Sequence, residues 1–170
     1  MLLYSEQQRF QQKWILVVCL ITPITFFFVS FFVLISIWQS DPSSNYTTVT
    51  FLICTLCVFI SVLIPILIRK VGLDTEVSKK GLTFRFVPFH RREKVYLFEN
   101  ILCVEAVHYR PIRDYGGWGI RIGRNGKAYN VSGNMGVMVN LEDGKRFLIG
   151  SQKSELLAQI ITSNLRLKCK

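Results

Sequence analysis

Two uncharged apolar runs constrain this chain more than any other feature. Trp14 to Trp38 contains no charged residue, and neither does Val49 to Ile68. At about 1.5 Å of rise per helical residue, each run spans a hydrocarbon core of roughly 30 Å. The sequence therefore predicts a two-helix membrane hairpin within residues 14–70, with spans at about 14–38 and 49–68. Residues 1–13 are expected to be a cytoplasmic N-terminal segment, and 71–170 to form one small cytoplasmic domain.

The first run is too long for the apolar region of a cleaved signal peptide, and no small-x-small cleavage pattern follows it. It reads as a retained helix bounded by the interfacial aromatics Trp14 and Trp38. Pro23 predicts a freed carbonyl and a kink, with Thr22 or Thr25 available to satisfy that carbonyl. The polar link Gln39–Thr48 holds Asp41, Pro42, Ser43, Ser44 and Asn45 but no Lys or Arg. Arg9 and Lys13 precede the first run, and Arg69 and Lys70 follow the second. The asymmetry predicts both termini in the cytoplasm and the link outside. The sequon Asn45-Tyr46-Thr47 lies too close to the membrane to carry weight. With no ionisable group inside either run, a pump or transporter is disfavoured. The hairpin reads as an anchor, or as a packing surface for a partner.

The net charge is +10, and residues 71–170 contribute 17 basic and nine acidic residues. That +8 favours anionic partners such as lipid head groups, acidic proteins or nucleic acid. Nucleic acid is the weakest of these, because no recognition helix or RNP-like motif accompanies the charge. Cys19, Cys54 and Cys57 lie within the apolar runs. Cys103 falls on a strand and Cys169 at the chain end, so neither a disulfide framework nor a metal site is expected. Nothing in the sequence calls for a cofactor.

After Lys70 the pattern alternates. Strands are predicted at Leu73–Val77, Leu82–Val87, Lys94–Phe98, Ile101–Tyr109, Gly119–Gly123, Ala128–Val131, Gly136–Leu141 and Arg146–Ile149. Asn125-Gly126 and Asp143-Gly144 mark two hairpin turns. The last element is an amphipathic helix with the stripe Leu156, Leu157, Ile160, Ile161 and Leu165. Ser151 and Ser154 are its candidate caps, and Arg166, Lys168 and Lys170 suit its C-terminal end. About seven short antiparallel strands plus this helix predict a small barrel or bent sheet with the helix over one open end.

That order resembles the pleckstrin-homology (PH)-like domain. Two transmembrane helices followed by such a domain resemble a bacterial, Bacteroidetes-type family of two-helix membrane proteins with a PH-like cytoplasmic domain. The likeness is carried by Phe86-Val87-Pro88-Phe89-His90, Tyr109-Arg110-Pro111, Tyr115-Gly116-Gly117-Trp118-Gly119-Ile120-Arg121 and Lys127-Ala128-Tyr129-Asn130-Val131-Ser132-Gly133. It implies a fold and a bacterial inner-membrane location. It implies no reaction, and fold alone does not supply function.

Two stretches stand out as binding candidates. In Tyr109–Arg121, the residues Arg110, Arg113, Tyr115, Trp118 and Arg121 suit contact with a partner or lipid. The rings offer area, the guanidinium groups bind carboxylate or phosphate, and the glycines allow close approach. The alternative is a demanding turn, with Gly116 and Gly117 at positive φ, Trp118 on the core and Asp114 paired with an arginine. The second candidate is a membrane-surface basic cluster of Arg69, Lys70, Lys79, Lys80, Arg91, Arg92 and Lys94, against which stands a merely solvated turn.

Catalysis has little support. His90 and His108 lie on different elements, and Cys103 and His108 differ by five positions on one strand and face opposite ways. Gly123-Arg124-Asn125-Gly126-Lys127 lacks the spacing and following helix of a phosphate loop. The sequence therefore reads as a non-enzymatic membrane protein. It presents a basic domain to protein or acidic lipid, or it is a structural subunit joined through its helices.

Overall fold

The computed structural model describes residues 1–10, 13–40 and 45–165. Asp41–Ser44, Arg166, Lys168, Cys169 and Lys170 lie outside the described residues. So do the side chains of Lys13, Trp14, Cys19 and the sequon Asn45–Thr47. The chain forms two compact units. One comprises Met1–Phe10 with Lys70–Lys170, and the other Gln11–Arg69.

The second unit contains helices α1 (Lys13–Ser40) and α2 (Asn45–Lys70), with Pro23 and Pro65 inside them. The Thr25 hydroxyl donates to the Thr22 carbonyl at 2.9 Å. The carbonyl four residues before Pro23 is that of Cys19, so this bond is not the repair expected from sequence. Among the described residues, Thr48–Lys70 is long and apolar enough to cross a membrane, and Leu20–Ser36 forms a shorter apolar stretch.

The first unit is mostly β. Nine strands are present among the described residues: β1 (Leu2–Arg9), β2 (Gly72–Ser78), β3 (Gly81–Val87), β4 (Lys94–Leu97), β5 (Ile101–His108), β6 (Gly119–Gly123), β7 (Gly126–Asn130), β8 (Met135–Leu141) and β9 (Arg146–Gly150). The short helix α3 (Pro111–Tyr115) precedes β6, and α4 (Ser154–Asn164) follows β9. The strands make two sheets, ordered β1-β2-β3-β4 and β5-β8-β9-β7-β6. Neighbours are antiparallel as expected, except β7 and β9, which run parallel against that expectation. The β6–β7 hairpin leaves the chain between β5 and β8 yet docks beyond β9, which imposes that parallel pairing.

The alternation in β3 is realised as read. Leu82, Phe84 and Phe86 are buried, and they meet Val104, Val137, Val139, Phe147 and Ile149 of the second sheet in one core. Leu157, Ala158 and Ile161 of α4 complete it. Leu156, assigned to the buried stripe from spacing, is exposed. Neither Ser151 nor Ser154 caps α4 through its side chain. Lys153 takes the cap position, and the Lys153 amide donates to the Ser151 hydroxyl at 3.1 Å.

The largest departure concerns residues 1–10. They were expected to be an N-terminal segment outside the domain of residues 71–170, but Leu2–Arg9 is the outer strand of the first sheet. Arg9 lies opposite Gly72, and the Phe10 amide donates to the Val71 carbonyl at 3.0 Å. The folded β unit is thus assembled from both sides of the helical pair. Its polar sequence hid this strand. An edge strand buries little, and only Gln8 in β1 is fully buried.

Candidate functional site

The Tyr109–Arg121 passage contains a helix where the sequence predicted only a loop. Pro111 opens α3, its fixed φ suiting the first helical position. The Asp114 carboxylate accepts the Arg110 amide at 2.7 Å, instead of pairing with an arginine side chain as expected. Gly116 ends the helix at φ 72°, the left-handed conformation that favours glycine, and its amide returns to the Ile112 carbonyl at 2.9 Å. Trp118 is half-buried and donates its indole N–H to the Gly133 carbonyl at 3.0 Å. Arg121 folds back, its Nε donating to the Trp118 carbonyl at 3.0 Å.

Arg110, Arg113 and Arg121 are exposed. Tyr115 is not a surface residue, with only 5% exposure. Its ring packs edge-on against Tyr109 at 5.9 Å, in a small cluster with Ala128 and Leu148. Burial, and then the Asp114 charge, push the Tyr115 hydroxyl above the ordinary tyrosine range. A side chain at Gly123 would strike the Asp114 carbonyl and the Tyr115 ring, so this glycine lets α3 lie against β6. The surface left for contact is therefore three arginines and the exposed part of Trp118.

The basic residues grouped from sequence do not form one cluster. Lys79 and Lys80 make the β2–β3 turn. Arg91 and Arg92 follow β3, whose last residue Val87 lies opposite Gly72 at the other end of the sheet. The intervening six residue steps put about 20 Å between these ends, beyond a Debye length of about 8 Å at physiological salt. Lys70 ends α2 and is separated from Gly72 only by Val71, so it belongs with the Arg91–Arg92 end. Arg69, Lys70, Arg91 and Arg92 are exposed. Lys94 is half-buried and turns to Tyr129, donating to its hydroxyl at 2.8 Å.

That contact belongs to an aromatic nest that sequence reasoning missed. Phe84 stacks on Tyr96 at 5.9 Å and meets Tyr129 at 4.7 Å, while Tyr96 lies 4.7 Å from Phe147. His90 packs against Tyr129 at 5.6 Å, and its Nδ1 accepts the Phe86 amide at 3.2 Å. Burial, reinforced by the Lys94 charge, lowers the His90 pKa. Because Nδ1 accepts the Phe86 amide, the neutral ring carries its proton on Nε2. Burial and the nearby Tyr129 raise the Tyr96 hydroxyl. Period-2 alternation marked Phe84. The crossing of β3 and β4 over β7 and β9, which gathers the other rings, has no local signal.

A polar lock joins β1 to the β9–α4 corner. Glu6 accepts from the Tyr4 hydroxyl at 2.7 Å, the Gln8 amide at 3.1 Å, the Ser151 hydroxyl at 2.6 Å and the Gln152 backbone at 2.8 Å. Gln8 also donates to the Gly150 carbonyl at 2.8 Å. Burial and the bond to Glu6 push the Tyr4 hydroxyl up to about 12. Four donors converging on one carboxylate make it a clamp between β1 and the β9–α4 corner.

Cys103 and His108 have separate partners. Asn140 donates to the Cys103 sulfur at 3.4 Å, and the Asn134 amide lies 2.8 Å from His108 Nε2. Among the described residues, no three His, Cys, Asp or Glu side chains gather where a metal ion would be held. Comparison with family models, with curated proteins and with solved structures finds no match for this chain.

Proposed function

We propose that this is a non-enzymatic bacterial inner-membrane protein. In this reading α1 and α2 cross the bilayer as a hairpin, and a basic, PH-like domain stands at the cytoplasmic leaflet to bind acidic lipid or protein. One observation carries it: β1 precedes the helices, β2 follows them, and the two are paired residue by residue from Tyr4 and Val77 to Arg9 and Gly72. A folded unit built from both flanks of a helical pair requires both flanks on one side of any membrane the helices cross. The positive-inside distribution of Arg9, Lys13, Arg69 and Lys70 supports the cytoplasmic side.

The outward surfaces of the helices support a lipid surround. Leu20, Phe27, Phe28, Phe32, Phe51, Leu52 and Phe59 are all exposed, an apolar area larger than soluble monomers display. The order of four antiparallel strands, a second sheet containing β5, β8 and β9, and a closing helix supports the PH-like reading. In it the β6–β7 hairpin is an insertion, and the transmembrane pair is a second insertion between β1 and β2.

Impermeant maleimide labelling of Ser43→Cys in intact cells tests the topology, in a background whose native cysteines are replaced by serine or alanine. Labelling without permeabilisation is the expected result. Labelling only after permeabilisation would overturn the hairpin and its orientation.

An apolar groove between α1 and α2 favours a second reading. It encloses about 270 Å³ and is lined mainly by Phe27, Phe31, Leu34, Phe51 and Val58, with Ser30, Cys54 and Thr55. Such a groove can receive a few apolar side chains of a neighbouring span, so the chain would then be a subunit held in a complex through its spans. Exchange of the hairpin for an unrelated one separates the readings: association lost supports the subunit, and association retained supports the domain.

A further inference from the structure

We infer that the β3–β4 turn, through Phe89, Arg91 and Arg92, is an interfacial anchor that rests on the anionic leaflet of the protein's own membrane. The inference depends on the proposal that α2 crosses that membrane, and it adds which end of the domain meets the lipid and by what chemistry.

Covalent reach supplies the first part of the argument. Helix α2 ends at Lys70 and β2 begins at Gly72, so one residue links helix to sheet. Gly72 lies directly opposite Val87, the last residue of β3. Whatever the orientation of the two units, the turn after Val87 leaves the sheet from the same end as the tether. The Lys79–Lys80 turn leaves from the opposite end.

The composition of the turn supplies the second part. The His90 amide donates back to the Phe86 carbonyl at 2.8 Å, and His90 Nδ1 accepts the Phe86 amide. These two hydrogen bonds to one residue hold the turn closed, and the Phe89 ring lies 6.0 Å from that of Phe86 while staying 66% exposed. An exposed phenylalanine at the tip of a closed turn is suited to the acyl boundary of a bilayer. Arg91 and Arg92 follow it and are exposed, as is Lys70 at the tether. Cations beside an apolar tip complement phosphate head groups above acyl chains. An acidic protein would satisfy the cations, but nothing at the tether holds it within reach, whereas the bilayer is fixed there.

The test uses the full chain in nanodiscs of phosphatidylcholine, with and without phosphatidylglycerol. Phe89→Trp and Lys79→Trp place a reporter at each end of the sheet, read as the emission added to wild type. Acyl chains brominated near the head group quench a tryptophan that reaches them. The expected result is quenching of at least twofold for Phe89→Trp in anionic discs and none for Lys79→Trp. Adding Arg91→Ala and Arg92→Ala should then cut the quenching and make it fail at lower salt. No quenching at position 89, or equal quenching at 79, would overturn the anchor. Equal quenching in purely neutral discs would overturn its anionic preference. Hydrogen exchange of Val87–Lys94 in the wild-type chain gives a second measurement free of substitutions, with slower exchange expected in anionic discs and unchanged exchange counting against the anchor. Correct labelling of Ser43→Cys with no quenching at 89 would sink this inference alone and leave the membrane topology standing.

Discussion

The carboxylate of Glu6 accepts the hydroxyl of Ser151 at 2.6 Å across 145 residues of sequence. This bond ties a strand that precedes the helices to the corner between the last strand and α4. With its three companion donors it holds β1 in the fold. Replacing Glu6 with Ala leaves those donors without their acceptor and should cost about 2 kcal/mol. The thermal midpoint of the purified chain in detergent should fall, and hydrogen exchange should speed up first in Leu2–Arg9. A midpoint equal to wild type would show that β1 is held by its ladder alone.

The same architecture predicts how the β unit is cut free. Residues 71–170 alone lack β1 and expose the β2 edge, an invitation to aggregation. A chain joining Phe10 to Val71 through an Asn-Gly turn should instead fold, because those residues already share a backbone hydrogen bond. Soluble expression and a single cooperative unfolding transition would be the signature. Equal behaviour of the two chains would mean that β1 is dispensable.

In the α3 passage, stability and contact should separate by residue. Tyr115→Ala removes a buried ring and should cost about 3 kcal/mol. Arg110→Ala and Arg113→Ala, both exposed, should leave the unfolding midpoint within error. Any partner that uses this surface should therefore be lost with the arginine variants while the fold persists. Loss of binding with Tyr115→Ala alone would report unfolding, not contact.

His90 predicts a pH dependence of definite sign. Its pKa in the fold is below the ordinary 6.5. As pH falls below 6.5, the unfolded chain takes up a proton that the folded imidazole declines, so stability decreases until the lowered pKa is reached. The contribution is fully present above 6.5. Unfolding midpoints compared between pH 5 and 7.5 should show this slope in wild type and a flatter one in His90→Asn, whose side-chain oxygen can still accept the Phe86 amide. Parallel slopes in the two chains would assign the dependence to other groups.

A glycine test probes the seat of α3. Gly123→Ala sets a methyl group against the Tyr115 ring and the Asp114 carbonyl, and should lower stability by about 1–3 kcal/mol through overpacking. Gly133 has open space around it but a φ of 75°, so Gly133→Ala should cost only the backbone strain of about 1–2 kcal/mol. Denaturant midpoints of both variants check these losses, and a harmless Gly123→Ala would mean that α3 is loosely seated.

Local physics made much of this chain legible. Charge-free apolar runs specify helices because an extended apolar chain leaves its backbone unsatisfied, and helix formation needs only neighbouring residues. Alternation together with turn signals located eight of the strands, most plainly β3, where every second side chain, Leu82, Phe84 and Phe86, turns inward. Pairing across long separations was beyond it. Edge strand β1 carries a polar sequence whose partners, Ser151 and Gln152, lie some 145 residues away. The parallel register of β7 on β9 and the burial of Tyr115 depend on where a hairpin and a five-residue helix dock. The seven grouped cations were divided by strand length, since sequence neighbours across a turn can lie at opposite ends of a sheet. Composition and period decided which elements form. Only tertiary packing decided which of them meet, because contact energy depends on distance in space and carries no trace in the sequence between.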